Sequence, residues 1–235
     1  MKIMKKLHWA AGVILAFAVI IAALITSFEI AMYADFDVYR EEYEKYDVLD
    51  DLGMTMEDTM HVTREMMAYL RGDRDTLSVI TTVEGTEQDF FNEQDRFHMG
   101  EVRDLFIGGL NLRLGACAAA VICLIFLILT KADLKKILPR SYHISLAISG
   151  AAVLLIGLAS VIDFNAVFVQ FHHIFFDNDL WLFDPATDYM IRMLPEGLFY
   201  DMVIRLGLLF IGMLLVLFVI SLIPRFVEKR KKKLA

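Results

Sequence analysis

Four long apolar runs mark the chain, over residues 7–28, 114–130, 141–162 and 206–224, and none contains an Asp, Glu, Lys or Arg. A helix needs about 20 apolar residues to cross roughly 30 Å of hydrocarbon. Residues 105–113 extend the second run and residues 199–205 the fourth, so all four reach spanning length. The pattern predicts transmembrane helices over residues 1–31, 105–130, 141–163 and 199–224. The first run is too long for a signal peptide and lacks a small-residue cleavage site, so it counts as a span.

Between the spans lie segments of different character. In residues 32–104, Thr55 can cap a helix running to Arg71, with Met56, Met60, Met66, Met67 and Leu70 on one face and Gly72 as its stop. Residues 76–83 (TLSVITTV) are rich in β-branched side chains and EGT follows as a turn, which predicts a short strand or hairpin. The acidic stretch 35–51 reads as a solvated face. Residues 131–140 form a short basic loop and residues 225–235 a basic tail suited to anionic lipid. In residues 164–198, Asp184 and Pro185 can start a short helix that Pro195 ends. The fold class is therefore an all-α membrane protein, a four-transmembrane-helix bundle with a small extracytoplasmic α+β cap.

Charge fixes the orientation. Residues 1–6, 131–140 and 225–235 hold 13 Lys/Arg against 2 Asp/Glu, whereas residues 32–104 and 163–201 hold 8 against 27. The positive-inside bias puts both termini in the cytoplasm and both large loops outside. A net charge of -7 argues against nucleic acid as a partner. Both cysteines, Cys117 and Cys123, fall in the second span and read as small apolar fillers.

Candidate chemistry gathers at the outer interface. His8 and His143 sit at inner edges and His61 lies in the expected cap helix, which leaves His98, His172 and His173. These three meet if the second and third spans are neighbours. If residues 93–106 are helical, His98 and Glu101 share a face at i and i+3, with Arg96 and Arg103 a heptad apart on another. A carboxylate beside an imidazole can fix its tautomer and favour its protonated form. An intramembrane Arg113 costs a few kcal/mol unless paired or hydrated, so Glu29, Asp163 or a lipid carbonyl is its expected partner. The run Phe168, Phe171, Phe175, Phe176, Trp181 and Phe183 either packs at the interface or lines acyl grooves. No HExxH, CxxC, GxSxG or phosphate-binding glycine loop occurs. HHIFFD fits the HHxxxD pattern of soluble acyl-transfer enzymes, and three histidines with carboxylates could alternatively hold zinc.

HMGEVRDLF after an acidic cap, then FHHIFFDNDLWLFDPATDYMIRMLPEGLF between the last two spans, resembles the bacterial integral membrane family of lipoprotein intramolecular transacylases. The resemblance covers nearly the whole chain. It implies a plasma-membrane acyltransferase working without cofactor or metal at the outer leaflet, on membrane lipid and a diacylglyceryl-modified lipoprotein. The sn-2 acyl chain would move onto the α-amine of the lipoprotein's N-terminal cysteine. In that reaction His172 is the expected base and acid, His98 its partner, and His173 the alternative base. Arg103, Glu101 and Arg113 would position substrate or stabilise the oxyanion. Two other readings stand beside it: a noncatalytic protein whose acidic cap binds a partner or cations, and a metal-dependent membrane hydrolase.

Overall fold

A computed structural model describes residues 2–234, with side chains described through residue 223. The side chains of the basic tail, and hence its expected role on lipid, lie outside the described residues. The elements in order are α1 (Lys2–Tyr33), α2 (Asp37–Lys45), α3 (Val48–Leu52), α4 (Met56–Arg71), β1 (Ile80–Val83), β2 (Thr86–Asp89), α5 (Glu93–Leu129), α6 (Leu134–Ile162), α7 (Phe164–Phe175), α8 (Tyr189–Met193) and α9 (Glu196–Leu234). Four of them, α1, α5, α6 and α9, are long and apolar enough to cross a membrane.

The chain divides into two compact units. One comprises residues 1–29, 110–158 and 206–235, and the other residues 30–109 and 159–205. In the first, α1 touches each of the other long helices. A Cβ on Gly12 would come within 2.5 Å of Ile137 and 2.6 Å of the Ser141 hydroxyl, so only glycine permits this approach of α1 to α6. Ala16 and Ile20 pack with Tyr142, Phe210 and Leu214. The Tyr142 hydroxyl donates to the Leu214 carbonyl at 2.7 Å, and Ser27 donates to the Met213 sulfur at 3.3 Å. Arg113 pairs with Glu29, which answers an intramembrane charge with its opposite. The other carboxylate expected for that arginine, Asp163, is engaged elsewhere. It accepts from Ala166 N at 2.9 Å and caps α7.

The second unit has a core of its own, centred on Tyr43, Leu52, Met60, Val62, Val83, Phe90, Phe91 and Met193. Its α4 follows local rules: Thr55 accepts from the Asp58 amide at 3.1 Å, and Gly72 ends the helix at φ 88°, where other residues are strained. The hairpin β1–β2 pairs antiparallel and turns at Glu84 and Gly85. Arg192 on α8 donates to Asp51 at 2.9 Å and to Glu84 at 2.6 Å, tying α8 to α3 and to the hairpin turn.

Several expectations need correction. The strand begins at Ile80, not Thr76. The acidic stretch is not merely a solvated face, since α2 turns Tyr39 and Tyr43 into the core while most of its charged side chains stay outside. No helix starts at Asp184 and Pro185; α8 starts four residues later. The Asp184 side chain instead closes a turn onto the Ala186 amide at 2.9 Å, and local side-chain bonding of this kind competes with helix initiation.

Candidate active site

Helix α5 runs unbroken for 37 residues, and its first turns carry Gln94, His98 and Glu101. At i, i+4 and i+7 these share one face. Helix α7 brings His172 opposite. The two rings stack with centroids 5.9 Å apart and planes inclined by 27°, and both side chains are buried.

The His172 ring is anchored from its own helix. Its Nδ1 lies 2.7 Å from the Phe168 carbonyl oxygen, one turn back. A carbonyl can only accept, so Nδ1 carries the hydrogen and the neutral ring keeps its lone pair on Nε2. Aromatic rings enclose the imidazole: Phe168 at 4.2 Å, Trp181 at 4.7 Å, and Phe171 and Phe176 each at 5.5 Å between centroids. Burial lowers the His172 pKa below the ordinary imidazole value, opposed by the bond to Phe168 and aided by neighbouring His173. His98 meets the edges of Phe176 and Phe183 at 4.9 and 5.5 Å.

The segment between α7 and α8 is strapped across this pair. Gln94 donates to the Leu180 and Leu182 carbonyls at 3.0 and 3.1 Å. Asn178 donates to Glu101 Oε1 at 2.7 Å and accepts from the Leu180 amide at 2.9 Å. The strap presses Trp181 onto His172. Further along, Asn92 and Asp95 cap each other's amides at 3.0 and 2.9 Å, while Asn92 also reaches Asp188 at 2.5 Å.

The expected site residues separate into groups. His98, His172, Glu101 and Arg103 belong to the same compact unit. Glu101 lies 3.9 Å from His98, beyond hydrogen-bonding reach, so the expected tautomer-fixing contact is absent and its bond goes to Asn178. Arg103 lies over the Tyr69 ring at 4.8 Å. His173 is exposed and meets Trp181 edge-on at 5.3 Å. Arg113 belongs to the other unit, paired with Glu29. Among the described residues no three His, Cys, Asp or Glu side chains converge as metal ligands would.

Among the described residues, four buried polar atoms in this region lack a hydrogen-bond partner: His98 Nδ1, Glu101 Oε2, Arg103 Nε and Trp181 Nε1. Buried polar groups are usually paired; Arg103 Nε lies on the Tyr69 side of α5, so it is the unpartnered atoms of His98 and Trp181, whose rings pack on His172, that mark a place for a polar ligand. Asn178, Gln94 and the Phe168 carbonyl had escaped the sequence reading. The last needs residues 164–175 to be a helix, which sets Phe168 and His172 at i and i+4 and was not read from the sequence.

Helices of membrane length and a buried imidazole pair define a multi-pass integral membrane protein with the makings of a catalytic site. Residues 13–199 match the family described as lipoprotein intramolecular transacylase Lit, and the chain belongs to that family. Membership makes membrane transferase the plain statement of its class. The fold agrees. The in meso structure of the membrane integral transacylase Lit from Bacillus cereus superposes with a TM-score of 0.77 at 20% identity, covering 97% of this chain and 99% of that one. A variant of the same protein with a histidine replaced by arginine gives 0.75 at 20% identity, covering 100% and 97%. No curated protein sequence matches the chain with significance.

Proposed function

We propose that the protein transfers the sn-2 acyl chain of a diacylglyceryl-modified lipoprotein onto the α-amine of that lipoprotein's N-terminal cysteine, at the outer leaflet of a bacterial plasma membrane. Both termini are then cytoplasmic, as the charge asymmetry favours. The observation that carries this reading is the imidazole pair, with the His172 hydrogen held on Nδ1 by Phe168 and its Nε2 lone pair left for chemistry.

An α-amine with a pKa of about 7.7–8.0 is mostly protonated at neutral pH and needs a base. As the amine nitrogen bonds to the ester carbonyl carbon, the C=O pair moves onto oxygen and His172 Nε2 takes the N–H proton. When the tetrahedral intermediate collapses, the bond from carbon to the sn-2 glycerol oxygen breaks and His172 returns the proton to that oxygen. The ammonium form first gives its extra proton to water; counted from the neutral amine that attacks, ester becomes amide with no proton or electron left over, so the balance requires no cofactor. His98, stacked on His172, positions the substrate and shares the developing charge. Arg103 offers a guanidinium, with Nε buried, to the oxyanion. Glu101 acts by holding the strap, and Arg113 by holding α5 to α1.

The test uses a host lacking lipoprotein N-acylation. Mass spectrometry of one N-terminal lipopeptide should show an N-acyl, S-monoacylglyceryl product with the wild type. His172→Gln should reduce it by about 10³-fold and His98→Gln by at least about 10²-fold, with both proteins still accumulating in the membrane. A wild type that leaves the amine free, or Gln variants that remain active, would refute the proposal.

A further inference from the structure

Trp181 contributes more to this site than a wall. Its ring is buried, with 7% of its surface exposed, and packs on His172 at 4.7 Å with planes inclined by 31°. Its N–H is one of the four buried polar atoms without a partner. An indole N–H can only donate, and buried tryptophans normally satisfy it. Nothing about packing requires a donor here: a phenylalanine would fill an aromatic wall, as Phe168, Phe171 and Phe176 already do around the same imidazole.

The surroundings say which acceptor fits. Of the four atoms, Glu101 Oε2 can only accept when ionised, and His98 Nδ1 donates in one tautomer only. Arg103 and Trp181 are thus the unconditional donors. Arg103 is held over Tyr69, whereas Trp181 lies against the ring whose Nε2 is the base. The oxygen that gains charge sits on the same carbon the amine attacks, one bond from the nitrogen that loses its proton. A neutral donor whose ring packs on the base is thus the candidate partner for that oxygen. Backbone bonds fix the donor in advance, since Gln94 holds the carbonyls of Leu180 and Leu182 on either side of Trp181. Donors already in position are what stabilise an oxyanion most effectively.

We infer that the Trp181 indole N–H is a catalytic hydrogen-bond donor to the ester carbonyl oxygen of the acyl chain being transferred, and to the oxyanion it becomes. This rests on the acyl-transfer reading above. It adds no covalent step: the proton stays on the indole while the bond strengthens as charge builds on oxygen.

Two measurements test it. In a Trp9→Phe background Trp181 is the single tryptophan, and its indole 15N–1H resonance can be followed in detergent. The probe is a diacylglyceryl-cysteine peptide with its amine acetylated, which binds but cannot react, compared with its dialkyl ether analogue, which lacks the carbonyl. The inference predicts a downfield shift of the indole proton with the ester alone. Equal response to ester and ether, or no response to either at saturating peptide, overturns it whatever the activity. The second measurement replaces Trp181 with 3-benzothienylalanine, which keeps the ring shape and substitutes sulfur for N–H, alongside Trp181→Phe. With the reactive peptide, kcat should fall about 10²-fold in both while KM stays within about threefold. An unchanged kcat in the benzothienyl protein overturns the inference. If the wild type transfers no acyl chain while the ester-specific shift is present, the acyl-transfer reading fails and the carbonyl-binding role of Trp181 survives.

Discussion

At the scale of single residues, the asymmetry within the imidazole pair decides which ring would act as base in the proposed transfer. The His172 hydrogen is pinned on Nδ1 by a carbonyl of its own helix, and burial keeps the ring neutral. This has a consequence for stability. A base whose pKa is lowered on folding binds protons more readily when unfolded, so its contribution is present above the unfolded value near 6.5 and is lost as pH falls below it. Acidification from about pH 7.5 to about pH 5.5 should therefore lower the thermal midpoint of the wild type more than that of His172→Gln, measured in the same detergent. Equal slopes would mean that His172 is not held neutral by burial. That His98 and His172 would meet was legible in the sequence, since the expected topology leaves few histidines on their side. Their tautomer was not, because it depends on a carbonyl that becomes available only when residues 164–175 coil into a helix.

At the scale of elements, α5 delivers Gln94, His98 and Glu101 on one face and the strap closes over them through Asn178. Glu101 then matters as an acceptor and not as a charge. Glu101→Gln keeps a carbonyl-type oxygen for Asn178 and should retain most of the rate, whereas Asn178→Ala loosens the strap and should reduce kcat by about tenfold. Assays of both in membranes check this, and the reverse order would assign Glu101 an ionic role. Elements with local signals were readable in advance: α4 has its Thr55 cap and Gly72 stop, and the hairpin has its glycine turn. Helices α2 and α7 were not. The first is acidic enough to pass for a solvated face with its two tyrosines hidden among charges. The second restarts at Asp163 directly after α6, so its sided pattern was masked by the span that precedes it.

At the scale of the molecule, α1 is the helix on which the first unit is assembled. In its most apolar window 28% of residues are buried, against 11% in each of the other three long helices. Its pairing with α5 through Glu29 and Arg113 is a test of that arrangement. Arg113→Leu removes the cation that pairs with the Glu29 carboxylate and should cost roughly 3 kcal/mol of stability, while adding Glu29→Leu should recover most of it. Thermal unfolding of the two variants in detergent decides, and additive losses would show that the residues act separately. The four spans and the acidic segments between them were plain from hydropathy and charge alone. The second unit's packing was not, because its core draws on Tyr43, Phe90 and Met193, which are far apart in the chain.

In the proposed reaction the acyl chain never leaves the molecule that brings it. Two diacylglyceryl lipopeptides with different peptide sequences, one carrying a deuterated sn-2 chain, are mixed with the purified protein and their products read by tandem mass spectrometry. Each deuterated N-acyl group should appear only on the peptide that carried it, at unchanged total mass. Deuterated acyl groups on the other peptide, or amines that stay free, would contradict the account.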